Sequence, residues 1–400
     1  MNVLYIFGSE ADLKKSTFIQ REITELEKTG IKLSFLIINP FFNRYKYSRT
    51  FNIYTAGINP LRWLLNPFIN LFFYKKSILL TKYRSTILKS FDKGSIHTIK
   101  IFGATLFLES AVTKILRSRV RIDHIHSHHL FSATLFTPCV AGIISANYSI
   151  TIHTLSHYLN QAYLKQTLQN AMFLRTITNE TFSYFSSNNF NNNIHLIPNC
   201  VDLTSFPKKT ENTPKDILRI LAIGKFLDKK GFDILIKSCK LINDRGIKFV
   251  CKIIGEGPEK KLLQKLILDY RLKNKIELIP FLEFQQILPY FQESSVLVVP
   301  SRDPKRSTRD GLPTVILEAM AIGVPVIASD FAGISDAIVH ESTGLLVVPE
   351  SEIALAEAIL RLHKNPDLAS NLIKNSITRI EDNFSLKKNI SHLAELFNHS

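Results

Sequence analysis

Short runs of β-branched and aromatic residues alternate with segments of helical period from one end of the chain to the other. That pattern is met by parallel sheets whose strands are joined through covering helices, and by few other architectures. The first unit shows it plainly. Val3 to Phe7 reads as a strand, a loop runs through Lys15, and TFIQREITELEKTG puts Phe18, Ile19, Ile23 and Leu26 on one helical face before Gly30 ends it. Ile31 to Ile38 is the next strand, and later strands are expected at Ile122–His126, Ser149–His153 and Phe173–Thr178. The second half repeats the alternation with strands at Ile217–Ile223, Phe249–Ile254, Ile276–Ile279, Val296–Val299 and Val324–Ala328. Helices are expected from near Gly231, Pro258, Phe284 and Pro313, then over Glu352–His363, Leu368–Asn383 and Leu386–Phe397.

A chain of 400 residues is long enough for more than one core. The stretch NCVDLTSFPKKTENTPKD is polar, aperiodic and contains two prolines, as an interdomain linker does. The expected division is therefore a domain over 1–198, a linker over 199–216, a domain over 217–380 and a closing helical segment over 381–400 that could return to the first domain. No short internal repeat is present, which excludes solenoids and propellers.

Charge narrows the partners. The formal net charge is +16, and residues 41–121 alone hold 15 basic and 2 acidic side chains. The same segment is rich in aromatics, among them Phe41, Tyr45, Phe51, Trp63, Phe72 and Tyr74. Cations beside aromatic and aliphatic side chains suit an anionic bilayer surface, so a peripheral membrane contact is one reading and a core with a basic rim the other. The stretch from Leu61 to Leu80 is broken by Asn66, Pro67, Asn70, Lys75 and Lys76, and no transmembrane helix is expected. MNVLYIFGSEADLKK reads as a first strand, not a signal peptide. Four cysteines, Cys139, Cys200, Cys239 and Cys251, show neither metal spacing nor a disulfide framework, so the cytoplasm is the expected compartment.

Asp310 and Glu318 stand eight residues apart in RDGLPTVILEAMAIGVPVIASD. Gly311, Leu312 and Pro313 mark the turn into a helix, whose free amides favour an anion. At ~1.5 Å per residue the two carboxylates are at most about 12 Å apart, too far to share a proton but placed to accept hydrogen bonds from two ends of one elongated polar ligand. Glu318 interrupts an otherwise apolar run, where a carboxylate needs a partner or a role. GKFLDKKGF follows the strand ILRILAI and brings Lys225 and Lys230 to the carboxyl end of a parallel strand, where two ammonium groups could neutralise a diphosphate. GEGP at Gly255–Pro258 is explained by turn geometry alone. His153 ends an apolar strand. His124, His126, His128 and His129 invite a metal reading, but no ordered set of acids accompanies them, and a satisfied or pH-sensitive cluster is expected instead.

Together these features resemble the retaining family 4 glycosyltransferases of the GT-B fold, the glycogen-synthase-like group used in surface polysaccharide and lipid-linked sugar synthesis. The most specific segment is Asp310–Val347, with support from KSTFIQREI, IHLIPNCVDLTSFP, GKFLDKKGF and GEGP. STFIQREI resembles the exopolysaccharide- and lipopolysaccharide-building members. The resemblance implies an α/β fold of two Rossmann-like, doubly wound domains facing across a cleft. It also implies transfer of a hexose from a nucleotide diphosphate sugar, UDP-sugar before GDP-sugar, to a glycan or lipid-linked acceptor with retention. No metal and no other cofactor is expected. Residue by residue, Glu318 would grip the ribose and Asp310 the hexose. Lys225 and Lys230 would hold the diphosphate, and Phe281 and Leu282 would line the nucleobase pocket. His153 would sit near sugar and acceptor, and Gly8, in the loop after the first strand, would let the backbone approach the phosphates. Asp310 stands where glutamate is usual, Lys225 where arginine is common, and Cys200 and Pro280 where glycine is usual. The alternatives are a basic nucleic-acid-binding protein, which leaves Asp310 and Glu318 without a role, and a GT-B enzyme of other chemistry such as an epimerase. No nucleic acid is expected as partner. No GxGxxG follows the first strand, against a dehydrogenase.

Overall fold

The computed structural model describes residues 1–9, 17–39, 52–55, 112, 115–118, 120–128, 132–153, 162–209, 216–303 and 311–399. The chain forms two compact units. Met1–Ile177, Thr181–Ile197 and Ile390–Ser400 make the first, and Thr178–Glu180 with Pro198–Asn389 the second.

The first unit contains β1 (Asn2–Ser9), α1 (Thr17–Lys28), β2 (Lys32–Asn39), β3 (Asn52–Thr55), β4 (His124–His128), α2 (Ser132–Ile144), β5 (Asn147–Ile152), α3 (Ala162–Gln169), β6 (Phe173–Thr176), most of α4 (Asn179–Ser187) and β7 (Ile194–Leu196). Its strands form one parallel sheet in the order β3-β2-β1-β4-β5-β6-β7.

Because side chains alternate across a strand, register decides what each face carries. Val3 pairs with His124 and Tyr5 with His126, His126 pairs with Ser149 and His128 with Thr151, and Ser149 and Thr151 pair with Phe173 and Arg175. One face is thus a buried row of His, Ser, Thr and Arg among aromatics. The other is aliphatic, with Leu4, Ile6, Ile125, Ile150, Ile152 and Leu174 in a single cluster.

The second unit contains β8 (Leu218–Ile223), α5 (Phe232–Asp244), β9 (Phe249–Ile254), α6 (Lys260–Asp269), β10 (Ile276–Ile279), α7 (Phe284–Glu293), β11 (Val296–Val299), α8 (Thr314–Ile322), β12 (Val326–Ser329), α9 (Ile334–Ala337), β13 (Leu345–Val347), α10 (Glu352–Lys364) and α11 (Pro366–Asn383). The strands are parallel in the order β10-β9-β8-β11-β12-β13. Both faces are covered: Leu218, Ile220 and Ala222 belong to one cluster and Leu221, Leu297 and Val299 to another. Burial on both sides is why VLVV reads as a continuous apolar run and ILRILAI as one broken only by Arg219. α12 (Leu386–Asn398) ends the chain, and its Phe397, fully buried, packs on the His124, His126 and Phe173 rings of the first unit.

Three strands go beyond those read from sequence, namely β3, β7 and β13, and all three are sheet edges. They are only three or four residues long, too short to show a period. β4 begins at His124, two residues later than expected. In the 199–216 stretch, Val201 and Phe206 lie in the core of the second unit and Val201 bridges to Ser385. No described helix is long and apolar enough to cross a membrane. Most of the basic segment 41–121 lies outside the described residues.

Candidate functional site

In an open parallel sheet, ligands bind beyond the carboxyl ends of the strands where the strand order reverses. In the second unit that point lies between β8 and β11. Lys225 and Lys230 both follow β8. Lys225 is exposed and Lys230 half-buried, with the Lys230 stem so near that a Cβ on Gly224 would sit 3.5 Å from its Cε. A 3-10 turn, Asp228–Lys230, leads into Gly231, whose φ of +63° is left-handed. A Cβ on Gly231 would lie 1.9 Å from the Pro300 carbonyl oxygen, so the turn is pressed against the chain leaving β11.

Arg302 holds it there. Its backbone N–H donates to the Lys229 carbonyl at 3.0 Å, its Nε to the Asp228 carbonyl at 3.0 Å, and its guanidinium pairs with Asp228 at 2.5 Å and Asp233 at 3.2 Å. Burial alone would lower the Arg302 pKa, but the two carboxylates hold it above its ordinary range. Sequence reasoning missed Arg302, because its partners lie 69 and 74 residues away. The GEGP turn locks onto the same loop: a Cβ on Gly255 would meet the Gly224 carbonyl oxygen at 1.9 Å, and the Phe226 backbone N–H donates to the Glu256 backbone carbonyl at 2.8 Å. Packing accounts for these residues without a ligand.

After β11 comes Ser301, 1% exposed, whose hydroxyl has no hydrogen-bond partner among the described residues. Asp310 lies outside the described residues. Gly311 and Pro313 are half-buried and Leu312 is buried at the entry to α8, with Pro313 extended at φ −66° and ψ 122° as the cap. Every residue of α8 from Val315 to Ile322 is buried, Glu318 included at 8% exposure. Phe281, 65% exposed, and Leu282, partly buried against the core, follow the edge strand β10. Lys225, Lys230, Ser301, Phe281 and the start of α8 therefore all belong to the carboxyl end of one sheet.

His153 and Gly8 belong to the first unit. Gly8 is within β1, next to its last residue, and not in the loop beyond it, because pairing with β2 continues to Ser9 and Asn39. His153 follows the last residue of β5 and is buried. Its Nε2 is 3.0 Å from Nδ1 of His128, and His128 Nε2 is 3.1 Å from Oε1 of Glu22 on α1. Tyr5 donates its hydroxyl to the same oxygen at 2.8 Å, and the Arg175 guanidinium donates to Oε2 while its Nε donates to the Ile197 carbonyl at 2.9 Å. Burial would push the Glu22 carboxyl up, but Arg175 first and His128 second hold it well below the carboxylate range. Sequence reasoning missed Glu22 and Arg175.

Glu22, His126 and His128 bring ligand-type atoms within 4.8 Å of one another. Their donors and acceptors are already used: His126 shares hydrogen bonds with Ser149 and Thr151 at 2.7 and 2.8 Å, and Arg175 occupies Glu22. A guanidinium touching the would-be ligand disfavours a metal cation. His129 lies outside the described residues.

Burial lowers the His124 pKa from 6.5 to about 3 and that of His126 well below 6.5. For His124 the unfolded chain therefore binds more protons than the native one between pH ~6.5 and ~3, and stability falls with falling pH there by roughly 1.4 kcal/mol per pH unit, His126 acting in the same direction. Thermal unfolding at pH 7.5 and 5.5 should show a Tm lower by several degrees at pH 5.5. An unchanged Tm would contradict these buried neutral histidines.

Residues 205–379 match the family model described as glycosyl transferases group 1. WcaL of Escherichia coli K12, whose name assigns it to colanic acid biosynthesis, is 26% identical over 197 residues, 49% of this chain and 48% of that protein. The amylovoran biosynthesis glycosyltransferase AmsK of Erwinia amylovora is 28% identical over 196 residues, again 49% and 48%. The chain thus spans about half the length of each of these relatives. Among solved structures, HepE from Anabaena in complex with UDP superposes with a TM-score of 0.71 at 14% identity, covering all of both chains. The two parallel sheets are those of the GT-B fold, and residues 205–379 are a domain of the glycosyl transferases group 1 family.

Proposed function

We propose that this chain transfers a hexose from a nucleotide diphosphate sugar, a UDP-sugar, to a glycan or lipid-linked acceptor in cell-surface polysaccharide synthesis, with retention and without a metal. The observation that carries this reading is the loop after β8, which holds Lys225 and, in its clamped turn Asp228–Gly231, Lys230 at the sheet's switch point inside the family segment. The names of WcaL and AmsK support the polysaccharide context, and the HepE complexes with UDP and with UDP-glucose support the donor class.

Each residue then has a role that its chemistry suits. The two ammonium groups and the amides at the start of α8 neutralise the diphosphate as it leaves. Glu318 accepts hydrogen bonds from the ribose hydroxyls, and Asp310 from the hexose. Phe281 stacks on the nucleobase with Leu282 beside it, and Ser301 donates to a phosphate oxygen. With the sugar held and the leaving group neutralised, a hydroxyl attacks from the face the diphosphate departs.

The test is nucleotide release from UDP-, GDP- and ADP-hexoses with membrane-lipid and polysaccharide acceptors, in EDTA. One UDP-hexose should be turned over at a rate that EDTA leaves unchanged. Turnover abolished by EDTA would overturn the metal-free mechanism, and turnover of none of the donors would overturn the function.

A further inference from the structure

We propose that Arg302 is a positioning residue for the donor diphosphate: it holds the turn that carries Lys230 in register with Ser301 and covers two carboxylates that would repel the phosphates. The proposal deepens the glycosyltransferase reading and rests on it for the identity of the anion.

The contacts of Arg302 bridge the sheet's switch point. β8 and β11 are neighbouring strands, Arg302 follows β11, and what it holds follows β8. Its backbone N–H and its Nε donate to the carbonyls of Lys229 and Asp228, the two residues before Lys230, each at 3.0 Å. The turn is thus fixed through its backbone, whatever rotamers the lysine side chains adopt. Its own hydrogen bonds complete it, Lys230 N–H to the Leu227 carbonyl at 2.9 Å and Gly231 N–H to the Asp228 carbonyl at 3.1 Å. On the other strand, Ser301 is the residue before Arg302, 1% exposed, and its hydroxyl has no hydrogen-bond partner among the described residues. A buried hydroxyl left so is costly, and a phosphate oxygen would complete it. Arg302 therefore stands one residue from Ser301 in the chain and one hydrogen bond from the residue before Lys230. Groups set in place before the ligand arrives bind it without a further ordering cost.

The guanidinium also governs the charge of the loop. Asp228 lies in the turn of Lys230, and Asp233 in the first turn of α5. Arg302 pairs with both, and Lys237 makes a second contact to Asp233 at 3.6 Å. Without Arg302, two carboxylates would stand uncovered in the loop whose lysines must attract an anion. A lysine could not take its place in full, because one ammonium lacks the planar fork that reaches both acids and a carbonyl together.

The test is titration of UDP and of uridine into the full chain, by calorimetry for UDP and saturation-transfer NMR for the weaker nucleoside. Arg302→Gln should bind UDP about tenfold more weakly, the equivalent of one lost charge-assisted hydrogen bond, with uridine affinity within about twofold of wild type. Adding Asp228→Asn to Arg302→Gln removes an uncovered acid and should recover about a third of that loss in free energy, an effect that a merely structural brace would not show. Arg302→Lys, which keeps the charge but not the fork, should lose about threefold and decides the matter if the glutamine variant does not fold. UDP affinity within about twofold of wild type in a folded Arg302→Gln and in Arg302→Lys, or an equal loss for UDP and uridine, would overturn the role of Arg302 and leave the donor reading intact. A wild-type chain that binds neither UDP nor GDP would overturn the donor reading, and this role with it.

Discussion

Replacing Glu318 by alanine should lower kcat/KM for hexose transfer by about two to four orders of magnitude in a chain that remains folded. Glu318 is 8% exposed inside a helix whose other residues from Val315 to Ile322 are apolar and buried. A carboxylate there is costly unless it is hydrogen-bonded. Two hydrogen bonds from ribose hydroxyls to a charged acceptor, at roughly 1.5–3 kcal/mol each, give about 3–6 kcal/mol, which is the stated loss. Alanine is the best helix former, so α8 keeps its local preference. Circular dichroism and steady-state rates on Glu318→Ala and Glu318→Gln check this. Activity of the alanine variant within twofold of wild type would remove Glu318 from the donor site.

Gly231→Ala should strongly destabilise the second unit. The new Cβ would meet the Pro300 carbonyl oxygen at 1.9 Å, and φ of +63° is left-handed. The conformation costs an alanine ~1–2 kcal/mol and the overpacking ~1–3 kcal/mol more. A total of about 2–5 kcal/mol corresponds to a Tm loss of roughly 5–15 °C in a unit of this size. The turn carrying Lys230 would also be pushed off the Arg302 clamp, so affinity for the nucleotide diphosphate should fall as well. Unfolding curves with and without UDP measure both. A variant with wild-type Tm would mean that the turn has another resting position.

Much of this fold was readable from the chain. VLVV is apolar throughout, and ILRILAI and FVCKII are apolar but for Arg219 and Lys252, because their sheet is buried on both faces, and that marks parallel strands more strongly than any propensity. The edge strands β3, β7 and β13 left too little pattern to see. Lys225 and Glu318 could be singled out because they stand just after, or inside, apolar runs, and Lys230 because it shares the GKFLDKKGF loop with Lys225. Arg302 and Glu22 could not. An arginine in SRDPKRS reads as surface, and Glu22 reads as the polar side of an amphipathic helix, since their partners come from distant strands and turns. One signal was present. His124, His126 and His128, then Ser149, Thr151 and His153, stand at alternate positions of their strands, and with Arg175 on the next strand they make a polar row that an ion pair from a covering helix can complete.

The measurement that tests the central claim most directly is a calorimetric titration of UDP into the wild-type chain in EDTA, repeated with a mixed oligonucleotide at 50 and 200 mM salt. UDP should bind one to one, and the oligonucleotide should not displace it. No heat with UDP or GDP, beside oligonucleotide binding that weakens steeply with salt, would contradict the account and return the basic charge of this chain to nucleic acid.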